Sequence, residues 1–260
     1  MSSKLNNKIY DELYKRVTLS NNDNDLVNYL QTVNEVVEYS LVRTKNTISV
    51  LSQFTLHDEV HLSRVLVLME RLIGEDNITN LSDVDLGILI MVAHLHDIGM
   101  SPDEKKINIW KKGWDEDLNG DEKSEFDKFR MFCKQKRDKY IELLEFSRQR
   151  NINKFNSLLG NFIANYIREN HAYWAYEIID SKNFPNICYK NADLKKWIAK
   201  LCESHNEDVF KLKENFKEIY FFGDDRQKDI TCLIYIGVLL RLADILDFDS
   251  KRTPSVLYEN

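Results

Sequence analysis

The run LGILIMVA at residues 86–93 is apolar on every side, so any element built from it must be enclosed by the rest of the chain. Ser82 stands where an N-cap belongs, and Asp83 and Asp85 fall in the first turn, so the spacing predicts a helix opening at Ser82. At the far end the run gives way to His94, His96 and Asp97. An imidazole and a carboxylate therefore emerge side by side where a buried helix stops, and neither type belongs there for packing alone. LGILIMVA and CLIYIGVLL, the longest apolar runs, are about half the ~20 residues needed to span a bilayer. The N-terminus, MSSKLNNKIYDELYK, is polar. No membrane association and a cytoplasmic location are expected.

Only 8 Gly and 3 Pro punctuate the 260 residues, while Leu, Ile, Lys and Glu recur throughout, so long helices are favoured and an all-α class is expected. HDEVHLSRVLVLMERLIG reads as a helix closing at Gly74, and a helical pattern runs from Leu158 through HAYWAYEIID to a break at Phe184–Pro185. A further helix is expected from about Asp193 to His205. DITCLIYIGVLLRLADILD is apolar enough on most of its surface to cross the core. Residues 1–260 read as one domain, with 1–50 as an N-terminal helical extension and the polar stretch 103–160 as an inserted helical segment or lid.

The net charge of −6 gives no basic footprint, which excludes duplex nucleic acid as the expected partner. Lys134, Lys136, Arg137 and Lys139 cluster, but acidic residues surround them as on a solvated helix face. Four scattered cysteines suit isolated thiols and no disulfide scaffold. DEDLNGDEKSEF, residues 115–126, mimics a calcium loop, yet Phe126 occupies its twelfth position, where a bidentate Glu is required, so it reads as a polar turn.

The histidines and neighbouring acids follow the order His57, Asp58, His61, His94, His96, Asp97, His171, His205, Asp244. Neutral imidazoles and carboxylates in such numbers are the ligands of a divalent ion that activates water. His57 and His61 share a helix face at i and i+4, whereas His96 and Asp97 diverge by about 100° and can engage one ion or two neighbouring ones. His94 points elsewhere on its helix and reads as a core histidine.

His61 in HLSRV, His96–Asp97 in HLHDIG and Asp244 in LRLADILD resemble the H…HD…D signature of HD-superfamily metal-dependent phosphohydrolases. That resemblance implies an HD-domain helical bundle. It implies one ion on His61, His96, Asp97 and Asp244, and a second on Asp97 as bridge with His171 and His205. Catalysis would centre on Asp97, His171 and His205, with His57, Arg64, Arg168 and Arg241 as substrate contacts. Mn, Fe, Ni, Zn, Co and Mg all suit such ligands. HDIG is followed by Met100 without a GYP tripeptide, unlike cyclic-di-nucleotide phosphodiesterases of the HD-GYP type. The acidic pair of guanosine tetraphosphate hydrolases and the H-x-x-x-H continuation of many dNTP triphosphohydrolases are also missing. FTLHDEVH, HLHDIGM and LRLADILDFDSKRTP are similar to phrases in HD-CE-like domains of bacterial conflict and defence systems, some of them fused to an Hsp90-like ATPase.

The expected activity is hydrolysis of a nucleotide or another small phosphoester by metal-activated water. One alternative is a catalytically silent HD module that binds a nucleotide or partner protein, with 103–160 as its surface. A single-strand nuclease using Lys134, Lys136 and Arg137 is a third, against which the net acidity counts.

Overall fold

The structure, a computed structural model, describes residues 7–20, 23–48, 59–223, 225 and 228–247, and the described chain is helical apart from two short hairpins. Helix α1 (Lys8–Leu19) is capped by Asn7, whose side chain accepts from the Ile9 and Tyr10 N–H groups. Its buried Ile9, Tyr10 and Leu13 face inward, and Arg16 donates to Asp83 at 2.8 Å. Helix α2 (Asn24–Ile48) turns Leu26, Tyr29, Leu30, Val33, Val36 and Val37 inward at helical spacing. Helix α3 (Glu59–Ile73) buries His61, Val65 and Met69 on one stripe. Gly74, with a φ of 82°, turns the chain into the single-turn α4 (Glu75–Ile78).

Helix α5 (Asp83–Leu95) is the axle of the fold. Ser82 and Asp85 form a reciprocal capping box, and the residues from Leu86 to Leu95 are all buried. Helices α1, α2 and α3 pack around α5, joined by α10 (Lys195–Ser204) and α12 (Leu233–Leu246). The stretch Asp83–Lys112 is long and apolar enough to cross a membrane, but 94% of its most apolar window is buried inside the protein and it is not one continuous helix.

A 3-10 turn (Ile98–Met100) leads into α6 (Glu104–Lys112), α7 (Gly120–Gln135) and α8 (Arg137–Arg148). These helices form a second, aromatic core with α9 (Ile152–Asp180), in which Trp110 stacks on Trp174 and packs beside Phe129 and Tyr166. Lys136, at φ −93° and ψ 62°, separates α7 from α8. Of the calcium-loop look-alike, residues 120–126 lie in α7: Phe126 is buried, and Glu125 accepts from the Trp110 indole at 3.0 Å. Helix α9 starts at Ile152, before the expected Leu158, because Arg150 adopts a positive φ of 53° and the Asn151 side chain accepts from the Lys154 N–H. At 29 residues it is about 43 Å long and joins both cores.

Strands β1 (Cys188–Tyr189) and β2 (Ala192–Asp193) pair antiparallel, and so do β3 (Tyr220–Phe221) and β4 (Ile230–Thr231), with α11 (Phe210–Asn215) between the hairpins. Buried Asp229 ties them together, accepting from the Tyr189 hydroxyl, the Lys190 ammonium and the Asp225 N–H, each at 2.7 Å. Helix α12 corrects the expectation of a helix crossing the core. It buries Leu233, Ile236, Leu239, Leu240 and Ala243 but leaves Tyr235, Val238, Leu242, Ile245 and Leu246 exposed, so it lies along the edge of the bundle.

Candidate metal centre

Five elements deliver six side chains to one place. His61 comes from the first turn of α3, His96 and Asp97 from the end of α5, His171 from α9, His205 from the end of α10 and Asp244 from the last turn of α12. Helix α5 stops there because Asp97 leaves helical geometry, at φ −100° and ψ 11°. The following 3-10 turn lies directly on α9. A Cβ on Gly99 would fall 1.9 Å from the His171 carbonyl oxygen, so only glycine permits the approach that sets Asp97 beside His171.

Asp97 faces two groups with two different atoms. Its Oδ2 lies 3.2 Å from His61 Nε2 and 3.5 Å from His96 Nε2, while its Oδ1 lies 3.4 Å from His171 Nε2 and 3.6 Å from His205 Nε2. Asp244 Oδ1 stands 3.7 Å from both His61 and His96. His61, His96, Asp97 and Asp244 thus offer four donor atoms within 4.8 Å of one another, and Asp97, His171 and His205 offer three.

The other ring nitrogens decide the tautomers. His96 Nδ1 meets the Ala93 carbonyl at 3.1 Å, His171 Nδ1 meets the Arg168 carbonyl at 2.7 Å, and His205 Nδ1 meets the Cys202 carbonyl. A carbonyl only accepts, so each Nδ1 must carry the hydrogen, and in the neutral ring each Nε2 presents a lone pair inward. His171 and His205 then oppose lone pairs at 2.8 Å, and His61 and His96 approach at 3.3 Å. Two facing lone pairs repel unless a positive charge sits beside them, and the donor set of imidazole nitrogen and carboxylate oxygen is that of a divalent transition ion. The residues present therefore fit such an ion in each group.

Charge in the site follows the same logic. Burial works to lower the His96 pKa, but the Asp97 and Asp244 carboxylates outweigh it and raise it to about 9. His205 moves the other way, to about 4, through burial and then the charge on His96. Burial would raise the Asp244 pKa, yet His96 holds it below the ordinary carboxylate value. His61 and His96 are fully enclosed while the Asp244 side chain is 31% exposed, so solvent reaches the group from the α12 side.

The remaining candidates divide. His57 lies outside the described residues. His94 is fully buried away from the group, with its Nδ1 on the Ile90 carbonyl at 2.8 Å. Arg64 is held by Asp247 at 2.9 Å, and Arg241 donates to the Ser204 carbonyl at 2.6 Å. Arg168 is half-buried on α9, one turn before His171. Reasoning from the sequence missed Asp247, whose Oδ2 is 2.5 Å from His61 Nδ1. The signal available was a second acid three residues after Asp244 at the end of an apolar helix.

A search of curated proteins and a search of solved structures returned no match. The HD-CE family model matches residues 51–260, which carry all six converging side chains. That match covers most of the sequence and coincides with the helices that build the site, so the chain belongs to the HD-CE family.

Proposed function

We propose that this chain is a metal-dependent phosphohydrolase acting on a nucleotide or another small phosphoester in the cytoplasm. The observation that carries the reading is the division of Asp97, one oxygen toward His61 and His96 and the other toward His171 and His205. A carboxylate shared in this way would serve as a ligand to both groups if each took up a divalent cation. Bound there, divalent ions would supply Lewis acidity, a lowered pKa for water and neutralisation of charge on the attacking and leaving oxygens of a phosphoester. The protein's own part is positional. Asp97 would belong to both ligand groups, with His61, His96 and Asp244 completing one and His171 and His205 completing the other. The partial exposure of Asp244 leaves a side from which a phosphate can approach.

The test is turnover of a panel of nucleotides and phosphodiesters with added Mn²⁺, comparing the native chain with His96→Ala and Asp97→Ala. Product from the native chain alone supports the hydrolase. Bound metal with no product from any substrate would contradict catalysis and leave a binding module.

A further inference from the structure

We propose that Asp247 is a positioning residue for the metal centre, holding His61 in the tautomer and ring orientation that aim its Nε2 at Asp97 and Asp244. The inference rests on the metal-binding reading above and deepens it.

Three of the four converging histidines are oriented from within their own segments. The Nδ1 of His96, of His171 and of His205 each meets the carbonyl three residues earlier in the chain. His61 has a partner from far along the chain. It lies in the first turn of α3, and its Nδ1 meets Asp247 Oδ2 at 2.5 Å, across 186 residues of sequence. An ionised carboxylate only accepts hydrogen bonds, so this contact puts the hydrogen on Nδ1 and leaves the Nε2 lone pair facing the group.

Asp247 is itself fixed. Arg64, three residues after His61 on α3, sets its Nε 2.9 Å from Asp247 Oδ1. The Asp247 N–H closes the end of α12 on the Ala243 and Asp244 carbonyls. The end of α12 therefore carries both a ligand, Asp244, and the carboxylate that orients another ligand, His61. The Asp247 side chain is only 5% exposed, so water screens the contact little.

A purely structural ion pair between α3 and α12 would use the same atoms, and metal affinity separates the two roles. Mn²⁺ is titrated calorimetrically into the full native chain, Asp247→Ala and Asp247→Asn, alongside thermal unfolding of the metal-free proteins and long-range ¹H–¹⁵N spectra of the imidazoles. Asp247→Asn keeps the shape should the alanine variant fail to fold, but its single oxygen cannot serve both Arg64 and His61. The expected result is a loss of about 10- to 100-fold in affinity for one ion, the other unchanged, with His61 leaving its Nδ1–H tautomer. Lower thermal stability with native Mn²⁺ affinity and an unchanged His61 spectrum would overturn this inference alone. A native chain that takes up no Mn²⁺ would overturn the metal-binding reading and this inference with it.

Discussion

His94 and His96 lie two residues apart at the end of one buried helix and shift in opposite directions. Burial drives His94 down to about 4, whereas the two carboxylates around His96 overcome burial and raise it to about 9. For His94 the native pKa lies below the unfolded value near 6.5, so the unfolded chain takes up its proton first as pH falls. Its contribution is complete above about pH 6.5 and is lost toward pH 4, on the order of 3 kcal/mol. Replacing His94 with Leu should flatten that acid limb of urea-unfolding stability, and an unchanged limb would show that other groups cause it. Helical phase separated these two histidines in the sequence, since residues two apart point to different sides. The hold of Asp247 on His61 was not legible, because no local spacing connects residues 61 and 247. The roles of Arg64 and Arg241 were hidden in the same way, since a guanidinium beside a ligand looks alike whether it meets substrate or its own protein.

Among the elements, α5 was the most legible, because its cap, its acidic first turn and its apolar run all agree. The reason for Gly99 appears only in three dimensions, where α9 passes so close that a side chain would strike the His171 carbonyl. Gly99→Ala should therefore push the 3-10 turn away from α9, costing about 1–3 kcal/mol in denaturant unfolding and weakening ion binding at His171 and His205 more than at His61 and His96. Native affinity at both groups would show that the turn shifts without moving Asp97. Helix α12 misled for the opposite reason. Its composition is apolar nearly all round, but composition does not say how many neighbours are present to cover it, and one face remains exposed. The division of 120–148 into α7 and α8 was equally hidden, since Lys136 carries no glycine or proline signal.

Taken whole, the described residues form two cores with α9 running between them, and the candidate metal centre lies where the first core meets that helix. The family match begins at residue 51, yet α1 and α2 belong to the same packed unit. The Tyr29 hydroxyl donates to the Val84 carbonyl at 2.9 Å, Ser40 donates to the His94 carbonyl, and nine apolar side chains of α1 and α2 are buried. At about 1.5–3 kcal/mol for each buried side chain, their removal matches or exceeds the roughly 5–15 kcal/mol stability of a typical domain. A chain beginning at residue 51 should lose cooperative thermal unfolding, and a sharp native-like transition would contradict that dependence. If Asp97 joins two ion-binding groups, its loss should empty both, and metal content reads this out. Elemental analysis of the native chain and of Asp97→Ala, each equilibrated with Mn²⁺ and then desalted, should give two ions per native chain and near none in the variant. No metal in the native protein, or equal metal in both, would contradict it.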